Sequence, residues 1–143
     1  ALWLAGQGRL PATSKLRRAA PLPIAGVVSL AGIVDPVTYL VREGQGCGTA
    51  VDELLGGWPE DLSARYEEAS PMALAPLGVP QVLITGMEDR IVPLAHVRPY
   101  SGKAKGAGDV IRSVEVARAG HFEVIAPGSV AWETVLEAVG SFW

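Results

Sequence analysis

Two short stretches of this chain carry residue types that could perform acid–base chemistry together. Gln81-Val-Leu-Ile-Thr85 is a compact apolar run of strand type, and it leads into Gly86-Met-Glu88-Asp89-Arg-Ile-Val-Pro93, where two carboxylates stand side by side. Val114–Ala117 has the composition of another strand and leads into Ala119-Gly120-His121-Phe122. In an open parallel sheet, groups just past the carboxyl ends of the strands converge on one crevice. Asp89 and His121 lie 32 positions apart and would meet there. A carboxylate that orients an imidazole supplies two parts of a charge-relay triad, and the missing part is the nucleophile. Imidazole, with an ordinary pKa of about 6.5, suits proton transfer near neutrality.

Glu88 competes with Asp89 for the histidine. Successive side chains at a strand exit point in different directions, so only one of the two faces His121. The shorter aspartate holds an imidazole with less conformational freedom and is the favoured partner. Asp35 is a third acid at a strand end, but its Asp-Pro context fits a helix cap better. His96 falls at the start of a crossover helix and reads as surface-exposed. Cys47 sits among glycines with nothing nearby to lower its pKa, which argues against a nucleophilic role. Gly44-Gln-Gly46-Cys47-Gly48 lacks both a closely preceding strand and the Gly-Lys-Ser/Thr of a phosphate loop. Two histidines at this separation, without an HExxH pattern, do not make a zinc site. A nucleophile elbow needs Gly-x-Ser-x-Gly at a sharp strand-to-helix turn. Ser29, Ser101, Ser129 and Ser141 each lack the flanking glycines.

The elements that must position these residues follow from periodicity. Gly26–Ala31 reads as a buried strand apolar on both faces, ended by Asp35-Pro36. Residues 36–75 read as a helical excursion. Within it Val51, Leu54 and Leu55 repeat at helical spacing, as do Leu62, Tyr66 and Ala69. Glycines and Pro59 keep those helices short, and such an excursion either caps a pocket or packs on the sheet. Leu94–Gly106 is expected as the crossover helix, starting near Pro99 or kinked there, because an interior proline costs about 3 kcal/mol. Trp132, Val135, Leu136 and Val139 form an apolar stripe on a last helix that Ser129 can cap. Gly6–Ala20 reads as a polar loop. The order strand, helices, strand, helix, strand, helix predicts an α/β domain with a mostly parallel sheet.

Composition narrows the function classes. The 143 residues are 49% hydrophobic and 19% charged, enough for one packed domain or part of a larger one. The net charge of −3 and the absence of a long basic run argue against a nucleic-acid partner. Lys15, Arg17 and Arg18 form a small cluster that needs no partner as a solvated loop. The longest uncharged run, Ala19–Val34, is 16 residues broken by prolines and glycines, too short for a membrane span. A single cysteine excludes an internal disulfide or a cysteine metal cage, and a cytoplasmic setting is the default. Ala1-Leu-Trp-Leu-Ala-Gly6 is helix-compatible but has no capping residue ahead of it, which reads as a chain entering mid-helix.

Taken together, Gly86-Met-Glu-Asp89-Arg-Ile-Val-Pro93, Ala119-Gly120-His121-Phe122 and Ser70-Pro71…Gly78-Val-Pro-Gln81 resemble segments of an α/β hydrolase. They resemble its Gly-x-x-Asp-x-x-Val-Pro acid loop, its Gly-His-Phe histidine loop and its Ser-Pro lead-in to the acid strand. The chain is most similar to the small esterase and arylformamidase-like branch, related to the prolyl-oligopeptidase-type hydrolases, and the likeness spans essentially the whole sequence. The resemblance implies residues 1–143 as a single partial domain, the C-terminal half, with the first strands and the nucleophile elbow upstream. It implies a Ser-His-Asp hydrolase of small carboxylic esters or activated amides, with Asp89 and His121 catalytic. It implies no metal or organic cofactor, an excursion lining the acyl or alcohol pocket, and inactivity of these residues alone. An uncovered sheet edge would then suit a homo-oligomer. The rival expectation is a non-catalytic α/β module, either a degenerate hydrolase or a flavodoxin-like ligand-binding domain.

Overall fold

Three short β-type runs form the sheet of the computed structural model, which describes residues 1–40 and 49–142. β1 (Val27–Leu30), β2 (Gln81–Gly86) and β3 (Ile111–Val116) lie in that order, and both pairings are parallel. β2 is central and every one of its residues is buried, as befits a parallel strand covered on both faces. Its side chains alternate between two cores: Leu83 joins one, while Val82 and Ile84 join the other. Full burial of a Leu or Ile side chain contributes about 1.5–3 kcal/mol, so this strand anchors both layers. The register ends with Gly86 opposite Val116. The loops that follow β2 and β3 therefore leave the sheet side by side.

Seven α-helices surround the sheet among the described residues: α1 (Leu2–Ala5), α2 (Pro36–Leu40), α3 (Ala50–Leu55), α4 (Pro59–Ala69), α5 (Pro71–Leu74), α6 (Leu94–Gly106) and α7 (Trp132–Gly140). The first six contribute to the core on one face, built on Leu2, Val27, Tyr66, Leu74, Leu83 and Tyr100. α7 covers the other face through Val135 and Ala138, together with its cap residue Ala131. The expected excursion over residues 36–75 is helical where it is described. Gly56 ends α3 in a left-handed conformation at φ 83°, which glycine adopts without steric cost. Tyr66 is fully buried and its hydroxyl donates to the Gly57 carbonyl at 2.9 Å. Asp35 serves as the cap of α2: its Oδ1 accepts from the Val37 N–H and its carbonyl from the Tyr39 N–H. Cys47 and the glycine-rich stretch around it lie outside the described residues. No described helix is long and apolar enough to cross a membrane.

Four expectations need correction. Gly6–Arg9 is a 3-10 turn rather than open loop, because the apolar Leu10 beyond it is drawn fully into the core. α6 begins at Leu94 and continues through Pro99. The proline is tolerated because it and Ala95, whose carbonyl loses its i+4 donor, both lie on the exposed side of the helix. α7 buries Val135 and Ala138, with its cap residue Ala131 beside them, while Leu136 and Val139 stay about half exposed. Ser129 does not cap α7 directly; it sits two residues before the cap position, Ala131, whose N–H bonds the Ser129 hydroxyl at 3.2 Å.

At the amino-terminal end of β2 a buried polar network closes the sheet. Asp109 accepts from the Leu77 and Gly78 N–H groups at 2.8 Å each and from Gln81 Nε2 at 2.9 Å. The Tyr100 hydroxyl donates to Gln81 Oε1 at 2.6 Å. Burial, reinforced by the Asp109 charge, pushes that phenol far above its usual range and keeps it a donor. Asp109→Ala would strand several buried donors at about 1–3 kcal/mol each. Urea unfolding should show a loss of about 3 kcal/mol, and a loss under about 1 kcal/mol would mean that the network is dispensable.

Candidate active site

The acid loop begins where β2 runs out of room. A Cβ built on Gly86 would stand 2.2 Å from the Ala119 carbonyl oxygen and 2.5 Å from that of Gly120. Only glycine lets the two loops approach this closely. The parallel ladder then continues past the strands, with the Met87 N–H on the Val116 carbonyl and the Glu88 N–H on the Ala119 carbonyl, each at 2.9 Å. Glu88 points outward and is exposed, whereas Asp89 turns inward and its side chain is fully buried.

Three hydrogen bonds fix Asp89. Oδ1 accepts from the Ile91 and Val92 N–H groups at 2.8 Å each, a turn in which the side chain stands in for a backbone carbonyl. Oδ2 faces His121 Nδ1 at 2.9 Å. Since the carboxylate can only accept, Nδ1 carries a proton, and in the neutral ring Nε2 is left as the acceptor. No described residue bonds Nε2, and the ring is 24% exposed, so that nitrogen can meet a ligand. The ring of Phe122 stands edge-on to the imidazole, with centroids 5.3 Å apart.

The histidine loop has its own supports. Arg118 adopts a left-handed conformation at φ 58°, and Ala119 after it is fully buried. The Gly120 N–H donates to Glu123 Oε2 at 2.8 Å, and the Ser129 hydroxyl donates to the Glu123 carbonyl at 2.5 Å. Sequence reasoning passed over Glu123; the available signal was its position three residues after Gly120, the spacing at which a glutamate reaches back to an amide in a capping box.

The remaining sequence candidates separate from this pair. His96 is buried, not surface-exposed: its Nε2 accepts from the Val34 N–H at 3.1 Å and its ring meets Tyr39 edge-on. It ties the first turn of α6 to the segment entering α2. Ser101 is bonded to Ser113, Ser129 to Glu123 and Ser141 to the Ala138 carbonyl, while Ser29 is buried in β1. None of these serines is bonded to His121. No group of three His, Cys, Asp or Glu side chains among the described residues could hold a metal. The excursion lines a cleft of about 800 Å³ together with Trp3 and Leu16, through Leu54, Leu55, Arg65 and Glu68, but neither Asp89 nor His121 lines it. Chemically, an imidazole oriented by Asp89 with its Nε2 unbonded among the described residues is able to accept a proton.

Solved structures share this architecture. A thermophilic esterase from the planctomycete Thermogutta terrifontis, determined with butyrate bound, superposes with a TM-score of 0.65 at 19% identity, over 96% of this chain and 50% of the esterase. A truncated carbohydrate esterase from gut microbiota gives 0.73 at 16% identity, over 98% and 53%. The acylaminoacyl peptidase of Pyrococcus horikoshii gives 0.61 at 22% identity, over 83% and 18%. The chain thus spans about half the length of the two esterases. No protein-family model matches it, and no curated protein sequence does.

Gly86→Ala places a methyl group on two carbonyl oxygens, and overpacking of this kind costs about 1–3 kcal/mol. The variant should melt at lower temperature and lose the slowly exchanging Nδ1 proton of His121 in NMR spectra. An unchanged resonance would show that the close approach of the loops does not set the pair.

Proposed function

Because this chain has the fold of the C-terminal part of an α/β hydrolase, we propose that it supplies the acid and the base of a serine hydrolase. The serine and the oxyanion hole belong to residues upstream of Ala1. In this reading the serine attacks the carbonyl of a small carboxylic ester or of an activated amide such as an N-formyl group. His121 Nε2 takes the serine proton and passes it to the departing alcohol or amine. Asp89 holds the Nδ1–H tautomer and stabilises the imidazolium that forms. A water molecule then repeats the cycle on the acyl-enzyme, with the same imidazole as base.

The observation that carries the proposal is the 2.9 Å bond from His121 Nδ1 to an Asp89 whose other oxygen is already held by two backbone amides. A solvated loop carboxylate would have no reason to be fully buried and turned toward the ring. Short acyl groups suit the proposal, since one similar esterase was determined with butyrate bound. The chemistry needs no metal or organic cofactor. By the same reasoning residues 1–143 alone turn over no ester. Among the described residues β1 leaves one edge unpaired, and none of Val27–Leu30 is charged. That edge suits a further strand of the same protein or a second copy. A cytoplasmic site of action accords with the single cysteine.

The residues encoded before Ala1 offer the first test, since Gly-x-Ser-x-Gly belongs there. The complete protein should react with a fluorophosphonate probe and hydrolyse p-nitrophenyl butyrate. Asp89→Asn should lower kcat by about 10⁴, the loss produced by removing the orienting acid of a triad, and His121→Ala by about 10⁶, the loss produced by removing its base. Turnover retained in both variants would overturn the assignment.

A further inference from the structure

We propose that Glu123 is a positioning residue for His121, an inference that rests on His121 being the base. Asp89 holds the imidazole at one nitrogen, but a single bond leaves the ring free to rock with its backbone. What fixes that backbone is a chain of contacts running away from the acid loop. Glu123 Oε2 accepts the Gly120 N–H at 2.8 Å, one residue before the histidine. The Glu123 carbonyl accepts the Ser129 hydroxyl at 2.5 Å, and that oxygen accepts the Ala131 N–H at 3.2 Å. Ala131 is fully buried at the start of α7, against Val135 and Ala138. The histidine loop is thus moored to the helix that covers the second face of the sheet.

The sequence makes room for this clasp. A Cβ on Gly120 would stand 3.0 Å from Glu123 Oε2, so glycine lets the carboxylate fold back over the turn. Glu123 is only partly buried, and a glutamate so placed keeps good hydration if it extends into water. Its folded conformation is held instead by the bond from the Gly120 amide, which needs only an acceptor oxygen at that reach. His121 and Phe122 lie between the two clasped residues, so the clasp sets where Nε2 stands relative to an incoming serine. It touches neither substrate nor imidazole and acts only through the loop.

Two variants in the full-length protein separate this role from simple packing. Glu123→Ala removes the acceptor, whereas Glu123→Gln keeps an oxygen at the same reach. Misplacing a reacting group by about 1 Å can cost about 100-fold. With p-nitrophenyl butyrate, Glu123→Ala should lower kcat by about 10- to 100-fold with KM within about twofold, and Glu123→Gln should restore kcat to within about threefold. A second readout needs no activity: in Glu123→Ala the Gly120 amide and the His121 Nδ1 proton should exchange with solvent at least about tenfold faster, and in Glu123→Gln they should not. Wild-type exchange at both protons in Glu123→Ala would overturn the proposal. So would a glutamine variant as impaired as the alanine one, which would assign the effect to charge. If the wild-type protein neither hydrolyses esters nor reacts with fluorophosphonate, the hydrolase reading fails, while the exchange rates still decide whether the clasp holds the histidine.

Discussion

The contact between the Gly86 backbone and the carbonyls of Ala119 and Gly120 governs this end of the molecule. Parallel strands cannot be joined by a tight turn, so β2 and β3 are connected by the whole of α6, and nothing in the local chain forces their exits together. The register does so, by setting Gly86 opposite Val116. Without a side chain at Gly86 the loops close until Met87 and Glu88 extend the ladder beyond the sheet. Asp89 then comes within 2.9 Å of His121 although 32 residues separate them. The pairing is made by backbone geometry first and by side-chain attraction second.

That order explains why Asp89 and not Glu88 faces the imidazole. A buried carboxylate is costly unless its oxygens are satisfied. The turn after β2 presents two free N–H groups, at Ile91 and Val92, and an aspartate reaches those two and three residues ahead without straining its own backbone. One oxygen makes the turn and the other remains for the histidine. Asp35 and Asp109 also accept backbone N–H groups near element ends, whereas Asp89 in addition bonds a histidine. Turn-making is thus common among the aspartates of this chain; what singles out Asp89 is that its turn lies at the carboxyl edge beside a second loop.

The parts legible in the sequence were those governed by short-range pattern. The apolar run of β2 and the placement of Asp89 and His121 after strands followed from period and from the geometry of parallel sheets. Faces were harder. His96 was misplaced because the buried side of α6 mixes His96, Val97, Tyr100, Ser101 and Ala104, a set that hydrophobicity alone does not mark. On α7 the large residues Leu136 and Val139 suggested the buried stripe, but the helix packs through alanines that let it lie close to the sheet. Glu123 and Asp109 resemble surface acids in the sequence; their partners are backbone amides, which no residue type advertises.

Among the described residues, the bonds that hold His121 and its loop come from residues 86–131. In the proposed reading the base is therefore organised independently of whatever brings the proton donor, and such preorganisation would cost no rearrangement during the reaction. The two free edges of the sheet differ in a way that bears on where the donor enters. β3 exposes Arg112 and Glu115, charges that discourage another strand from pairing there. β1 presents Val27, Val28, Ser29 and Leu30 with no charge at all. In the proposed reading the strand carrying the serine adds to β1, the described edge that carries no charge. If it adds in parallel, as the existing strands do, its carboxyl end emerges on the same side as Asp89 and His121, and the nucleophile reaches an imidazole already aimed.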